Sequence, residues 1–585
     1  MDNQPQSQEI NLRKGPGRVQ SSNLLDRIWK YKLHYIIVLP AMIFILIFKI
    51  IPFISAGYLS FTDYSFFRGI FNSPWVGTEN FRNLFSDPGF ISALSNTMII
   101  KLSYIAASGI TALVVALLVS MIASRRLRNL FSTLFLVPFF IPAAVFAYLA
   151  LLILSPDHSP ILQMDAFVWV DPDHFRPLLV ATEVIKSCGI PIIIALAAIS
   201  AKRNSFLRID MEEGKGGKRS FVYSHIIPAL KAITAFMLIQ FSTLLSPDFE
   251  LVSQLVNPLV QNVGDTLDTY YYKSVFVNAQ FGHAGVLWII QFVVQLLFTL
   301  LAYLLIRGLF VKDVFSPVEG EARQQVTNKG RNLAGIVGSL VCSVVVLLFI
   351  YVLFVYPFTG KSTSERGLGD LFSAYTFFIH GGFDFAAVII NLLITLTLAY
   401  PLTVKDLPGR SFYKVFLLFI MTMGSSIALQ DYLMVKNLEM VNTIFPLTIN
   451  GFISILNVFV LKSIFNSKHS ALKEQASAEG RGEFHAFFTL FIPKVWKPLV
   501  AMGVLQFVAL WNSYYSSLLY TSDVNRFSPI MKFVALVTRN PGDTRPSLAV
   551  ILEYGAIVSI PSILLLLLFR RWLTAEVLIG QSRKL

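Results

Sequence analysis

Residues 474–493 read EQASAEGRGEFHAFFTLFIP and form a polar interruption between two apolar runs of membrane length. Glu474 and Ala476 favour a short helix, which the pair Glu479-Gly480 is expected to break. The apolar residues beyond the glycine recur at three- and four-residue intervals, as on one face of a second helix: Phe484, Phe487, Phe488 and Leu490. Pro493 would end this segment before the next span. The sequence therefore predicts a rigid surface element, which we call segment 474–493.

The composition is that of a membrane protein. The 585 residues are 55% hydrophobic and only 14% charged, whereas soluble proteins average about 25% charged residues. Apolar runs of about 20 residues, the length that crosses a bilayer, recur along the chain. The net charge of +14 must therefore be interpreted by position, and it does not indicate nucleic-acid binding.

Motifs for metal or nucleotide binding are absent from the sequence. The two cysteines, Cys188 and Cys342, lie in apolar runs and exclude a disulfide framework. The eight histidines have no metal-ligand spacing, so no metal is assigned. Gly360-Lys361-Ser362 lacks the first glycine and the strand-to-helix context of a phosphate-binding loop.

Twelve candidate spans follow from the hydropathy pattern. They are 35–60, 91–123, 130–154, 177–201, 230–247, 285–310, 333–358, 382–403, 412–434, 441–465, 498–520 and 547–569. The predicted fold is an all-α polytopic membrane protein of about twelve transmembrane helices. We expect a cytoplasmic N-terminal tail (1–30), a first half (31–312), a cytoplasmic linker (313–332) and a second half (333–585).

Basic residues orient these spans. Arginines and lysines flank the N-terminus and recur after the even-numbered spans, for example at Arg125, Lys202, Arg307 and Arg570. Both termini and segment 474–493 are therefore predicted to be cytoplasmic. The opposite loops, 61–90, 156–176, 248–284 and 521–546, are predicted to be extracellular.

The two halves have polar residues and prolines at corresponding positions. Asn96 and Asn391 lie in corresponding spans, and Gln240 follows Pro228 as Gln506 follows Pro493. The first half has its own polar interruption at residues 208–228, which we call segment 208–228. Two related halves are typical of transporters.

Segment 474–493 resembles the EAA loop of permease subunits of binding-protein-dependent ABC importers, in both residue order and spacing. Other stretches are similar to the carbohydrate-uptake branch, whose best-known member is the maltose transporter. Residues 73–85, 169–189 and 257–273 resemble the first permease of such a pair, and 442–452 and 505–520 resemble the second. The resemblance covers nearly all of 30–312 and 333–585, as if both permeases were fused.

The resemblance implies a type I ABC importer permease in the bacterial plasma membrane, which carries a sugar or oligosaccharide delivered by an extracellular solute-binding protein. It implies a cytoplasmic ATPase dimer that binds ATP and Mg²⁺, so this chain would hold no cofactor and would not be an enzyme. The residues that would couple to the ATPase are Glu474, Ala476, Glu479, Gly480, Phe487, Leu490 and Pro493, with Arg208, Gly214 and Pro228 in the first half. Arg208 stands where the motif has Glu, so the first segment either docks differently or contributes less.

Substrate contacts are expected where aromatic and hydrogen-bonding side chains alternate. Trp511, Asn512 and Tyr514 supply both, although an aromatic belt at the membrane interface explains such residues equally well. Ionisable groups within spans are further candidates, because burying them is costly: Lys49, Lys101, Glu183, Lys186, Asp384, Lys462 and Glu553. Glu183 and Lys186 lie one helical turn apart and are expected to pair.

Two other functions remain open from the residues. A twelve-span secondary transporter driven by an ion gradient would share the two-half arrangement, but the loop after the second span lacks that family's Gly-Asp-Arg signature. A membrane enzyme acting on lipid-linked sugars would need paired acidic residues or a metal motif near the interface. The acidic residues at 157–173 have no such spacing.

Overall fold

The computed structural model describes residues 24–65, 67–156, 159–162, 164–213, 221–310, 329–359, 369, 372–404, 407–423, 428–449, 451–478, 485–538 and 546–579. The main helices of the first half are α1 (Lys32–Leu59), α2 (Pro88–Ser120), α3 (Arg125–Leu134), α4 (Ala143–Ile153), α5 (Pro172–Ser187), α6 (Gly189–Glu213), α7 (Val222–Thr243), α8 (Phe249–Leu255) and α9 (Phe281–Phe310).

The main helices of the second half are α10 (Lys329–Phe354), α11 (Ala374–Leu402), α12 (Arg410–Thr422), α13 (Ala428–Asn437), α14 (Ile455–Ala478), α15 (Ala486–Trp511), α16 (Tyr515–Tyr520), α17 (Pro529–Thr538), α18 (Leu548–Phe569) and α19 (Ala575–Ile579). Shorter helices are Leu24–Lys30, Glu79–Phe85, Val137–Phe140, Gln261–Gly264, Leu267–Tyr272 and Pro446–Ile449. The β structure of the described residues is one antiparallel bridge between Thr62 and Trp75.

Eight helices in the described part of the chain are long and apolar enough to cross a membrane. A ninth span results if α5 and α6, which meet at a bend of 52°, are counted together. The protein is therefore all-α and polytopic, as predicted, whereas the number of twelve spans stays a prediction.

Several predicted spans are broken in the structure. Span 130–154 divides into α3, the turn Val137–Phe140 and α4, with Pro138 and Pro142 next to the breaks. Proline lacks the N–H that an internal helical turn needs, so a uniformly apolar run can still break. Similarly, span 441–465 divides into Pro446–Ile449 and α14, and span 498–520 divides into α15 and α16.

Three prolines follow widened helical turns instead of ending a helix. The π-turns Leu46–Ile50, Val222–Ile226 and Ala486–Phe491 each precede a proline by two residues, at Pro52, Pro228 and Pro493. A proline ring clashes with the carbonyl four residues earlier in a regular α-helix. The i→i+5 spacing of a π-turn moves that carbonyl away. The prediction that Pro493 ends its segment is therefore wrong, because α15 continues through it.

The two halves exchange part of their first helices, since each packs a portion of its first helix against the other half. The first part of α1 packs against α11 of the second half, where the His34 ring stacks on Tyr400 at 5.4 Å between centroids. Conversely, α10 packs against α2 of the first half, with Gly335 so close that a Cβ there would lie 2.8 Å from the Leu118 carbonyl oxygen. Small residues allow this close approach of helices in a membrane.

The apolar core is shared between the halves as a result. One buried cluster joins Ala41 and Ile194 of the first half to Tyr400, Phe491 and Leu578 of the second. Another joins α2, α4 and α5 to residues of α10, α17 and α18. A small cluster around Ala56 and Trp288 lies within the first half alone.

Candidate coupling and translocation sites

Segment 474–493 begins as the end of a long helix. Glu474 and Ala476 lie on the last turn of the 24-residue helix α14, which runs to Ala478. The separate short helix that we predicted is therefore wrong, since the local helix formers extend the preceding span. Glu479 and Gly480 lie outside the described residues.

The second part of segment 474–493 packs through its aromatic residues. Phe487 and Phe491 are buried, and both rings contact Tyr400 of α11 edge-on, with centroids 4.9 and 5.3 Å away. Phe491 also meets Phe465 of α14 at 4.8 Å. Phe488 is 60% exposed and Leu490 is half-buried. The start of α15 is thereby held against the end of α14 and against α11.

Segment 208–228 has the same layout. Helix α6 runs to Glu213 and carries Arg208 near its end, as α14 carries Glu474. Gly214 lies outside the described residues. Pro228 follows its π-turn in α7, as Pro493 does in α15. Both segments thus continue a long helix on one side and enter a π-turn on the other.

The short helix α19 touches the helices that lead into both segments. It packs against α6 of the first half and against α14 and α15 of the second. Val577 and Leu578 are buried there in one cluster with Ala198 and Phe465. A displacement of either long helix is therefore transmitted to α19.

The intramembrane charges pair differently from our expectation. Lys101 Nζ of α2 lies 3.2 Å from Glu183 Oε1 of α5, with both side chains at most 5% exposed. Lys186 instead faces Asp248, with 4.0 Å between Nζ and Oδ2. The expected pairing of Glu183 with Lys186 is wrong, because a neighbouring helix brings a closer cation. Pairing offsets the cost of burying these charges.

Trp511, Asn512 and Tyr514 lie at a junction between the halves. The Trp511 indole N–H donates to the Val558 carbonyl at 2.8 Å. The Asn512 amide donates to the Phe140 carbonyl of the first half at 3.0 Å. The Tyr514 hydroxyl is 2.5 Å from Ser253 Oγ, also of the first half. Their substrate role stays a prediction, and their polar atoms here hold the junction together.

Glu250 of α8 completes this junction. Its Oε1 accepts hydrogen bonds from Ser513 Oγ at 2.5 Å and from the backbone N–H groups of Tyr514 and Tyr515 at 3.0 Å each. It therefore caps the N-terminus of α16 across the boundary between the halves, where a carboxylate is favoured. Burial raises the pKa of Glu250 to about 7, and the hydrogen bond from Ser513 opposes this shift.

A cavity of about 200 Å³ lies beside the junction in the second half. Its walls include His380 and Asp384 of α11, Gln506 and Trp511 of α15, and Ser513. Asn512 and Tyr514 do not line it. An adjoining cavity of about 310 Å³ shares His380 and is lined by aromatic residues and Arg526. In the described part of the chain, no three histidine, cysteine, aspartate or glutamate side chains form a metal site.

Sequence reasoning identified Asp384, Trp511 and Gln506 but missed Glu250 and His380. Glu250 meets its partners across 263 to 265 residues of chain, and nothing local distinguishes it from other loop carboxylates. His380 lies four residues before Asp384, so it shares the same helical face. That spacing could have indicated it.

The described residues form an all-α bundle with membrane-length helices and buried polar groups. No protein-family model matches the chain. It is 28% identical over 287 residues to the polygalacturonan/rhamnogalacturonan transport system permease protein YteP of Bacillus subtilis, which covers 48% of this chain and 89% of the relative. It is also 25% identical over 134 residues to the polygalacturonan/rhamnogalacturonan transport system permease protein YtcP of Bacillus subtilis. This match covers 23% of this chain and 46% of the relative.

A solved bacterial ABC transporter involved in the import of the acidic polysaccharide alginate aligns with 49% of this chain and 100% of its own chain, at a TM-score of 0.44 and 24% identity. The sequence relatives confirm the resemblance found in the sequence. The chain is similar, along about half of its length, to permeases of carbohydrate ABC importers. The long match to YteP covers about half of it, as expected for two permeases joined in one chain.

Proposed function

We propose that this chain is the complete permease of an ATP-driven importer of oligosaccharides, with the two halves acting as its two permease subunits. The observation that carries the proposal is its similarity to YteP and YtcP, both permeases of one named polysaccharide transport system. The exchange of α1 and α10 supports it, because each half needs the other to cover its first helix. The substrate proposed from these names is an oligosaccharide of the pectin type.

The proposed orientation has both termini in the cytoplasm, as the distribution of basic residues indicates. The linker 313–332 and segments 208–228 and 474–493 would then lie on the same side. A solute-binding protein would dock on the opposite face and deliver the sugar. An ATPase dimer in the cytoplasm would bind ATP and Mg²⁺.

In the proposed coupling, α6 and α14 transmit movement between the two segments and the buried core. Each is a long helix that leads from the buried core into one segment. If closure of the ATPase dimer moves the two segments, the movement passes along these helices, and α19 links them. Reorientation of the halves would then transfer the sugar chemically unchanged.

Co-purification with the ATPase subunits tests this function. Glu474→Lys reverses the charge at the proposed docking helix, and Gly480→Pro removes the flexibility of the proposed elbow. Both variants should lose the ATPase, or lose transport-coupled ATP hydrolysis by at least about tenfold. Glu79→Lys, an exposed charge reversal on the proposed outer face, is the matched control for co-purification and should retain the ATPase.

Retention of the ATPase and of coupled hydrolysis in both variants would show that segment 474–493 has no coupling role. Arg208→Glu in the same assay tests the first segment. A fall in coupling would mean that Arg208 is adapted to its partner, and an increase would mean that the first segment is weakened by the charge. Uptake that survives ATP depletion but stops when the proton gradient collapses would support a secondary transporter instead.

A further inference from the structure

The cavity of about 200 Å³ in the second half is lined by the carboxylate of Asp384. Burial of a carboxylate within a membrane span is energetically unfavourable. Asp384 lies within the span Ala374–Leu402 and is 9% exposed. Its surface faces the cavity, whose wall it helps to form. Ionisable groups within a membrane are rare and usually functional.

Asp384 differs in its contacts from two other buried carboxylates of the described residues. Glu183 pairs with Lys101, and Glu250 accepts three hydrogen bonds. Within the described residues, no ion pair or hydrogen bond reaches the Asp384 carboxylate. A core that merely needed filling would be more stable with an apolar residue there.

The surroundings of Asp384 fit a sugar hydroxyl group. A carboxyl group accepts hydrogen bonds from hydroxyl donors, and as the acid it also donates one. Trp511 closes one side of the cavity, and its ring lies 3.5 Å from the position that a Cβ of Gly381 would take. Serine hydroxyls at Ser513 and Ser517 line it as well. A mainly apolar wall with a few placed polar groups is typical of a small-molecule site.

We propose that Asp384 is a substrate-binding residue of the translocation path, where its carboxylate accepts hydrogen bonds from the hydroxyl groups of one neutral sugar unit. The proposal rests on the proposed function and adds to it a position and a substrate class. A uronate unit does not fit at this point, because its charged carboxylate would be buried beside a second acidic group in a medium of low dielectric constant.

The adjoining cavity extends the site along α11. It shares His380 with the first cavity, and it is lined by the aromatic residues Tyr375, Phe383 and Phe445. Two cavities that meet at one residue accommodate consecutive units of a chain. The site therefore takes an oligosaccharide whose unit at Asp384 is neutral.

The experiment uses the full chain with its ATPase and binding protein. Cells expressing the wild type are first given a hydrolysate of rhamnogalacturonan, which contains neutral and acidic units, and mass spectrometry identifies the oligosaccharide that enters. That oligosaccharide is then the probe. Asp384→Asn should raise the KM for its uptake by about tenfold or more, because the amide replaces one oxygen by an NH₂ group that cannot accept a hydrogen bond. ATP hydrolysis without substrate should be unchanged.

A second measurement does not depend on transport. Asp384→Cys, with Cys188 and Cys342 replaced by Ala, is labelled with a small water-soluble methanethiosulfonate reagent. The probe should slow this labelling at least about tenfold at saturation. Phe385→Cys is the matched control, since its neighbouring side chain is 60% exposed on the outside of the helix. Its labelling should not respond to the probe.

Unchanged KM in Asp384→Asn, or labelling of Asp384→Cys that ignores the probe, would overturn the assignment while leaving the proposed function intact. Import only of oligosaccharides without a neutral unit would overturn the substrate class. If the wild type imports none of the oligosaccharides although it co-purifies with the ATPase, the proposed function fails and the subsite fails with it.

Discussion

Glu250 lies in the first half, yet all three groups that its Oε1 binds belong to the second. Glu250→Ala would leave the Tyr514 and Tyr515 N–H groups without an acceptor, which costs about 1–3 kcal/mol for a buried donor. We expect a clear fall in the melting temperature of the purified protein in detergent, followed by tryptophan fluorescence. Glu250→Gln keeps an acceptor oxygen at this position, so its melting temperature should fall much less. Equal losses in the two variants would contradict the capping role.

The same residue should give the stability a pH dependence. The pKa of Glu250 is about 7 in the folded protein because of burial, against 4.5 in an unfolded chain. Between these values the folded protein holds a proton that the unfolded chain has released. Stability relative to Glu250→Gln should therefore fall as the pH rises from 4.5 to 7, by at most about 3 kcal/mol, and stay constant above. A difference independent of pH would show that Glu250 is ionised throughout.

At the scale of elements, the bend between α5 and α6 depends on Gly189. A Cβ at this position would lie 2.4 Å from the Phe135 carbonyl oxygen and 2.7 Å from the Leu136 Cα. These are backbone atoms that cannot turn aside. Gly189→Val should therefore destabilise the protein by about 3 kcal/mol or more, at the upper end of overpacking. The measurement is the yield and melting temperature of the folded protein.

Gly382 provides the control for this substitution. It is also a helical glycine, but a Cβ there would meet nothing within 4 Å. Gly382→Val should leave the melting temperature nearly unchanged. If both variants melt alike, the close approach at Gly189 does not limit the packing of these helices.

The sequence predicts those elements that are determined by their own residues, without contacts from distant parts of the chain. Uniform hydropathy placed the spans 91–123 and 547–569 within three residues of α2 (Pro88–Ser120) and α18 (Leu548–Phe569). The breaks inside span 130–154 and the course of α15 through Pro493 were missed, because the response of a helix to proline depends on its neighbours. The pairing of Glu183 with Lys101 was missed for a related reason, since the partner lies 82 residues away on another helix.

At the scale of the whole molecule, two halves of one chain hold each other by exchange. α1 packs on α11, α10 packs on α2, and the three large buried clusters each contain residues of both halves. Such an interface resembles the core of a single domain. Two domains that fold separately and then associate do not share a core in this way. The candidate junction at residues 511–515 follows from this arrangement and could not be recognised from either half alone.

This arrangement predicts that the covalent link between the halves is dispensable once the protein has folded. A protease site inserted in the linker 313–332 should give two fragments that still elute together in mild detergent, because each must otherwise expose its first helix and half of a core. Gly335→Leu should weaken this association, since its side chain would push α10 away from the Leu118 carbonyl of α2. Val341→Leu, on the exposed side of α10, is the matched control and should have no effect. Separation of the wild-type fragments would mean that the exchanged helices contribute little, and that the linker itself keeps the two halves together.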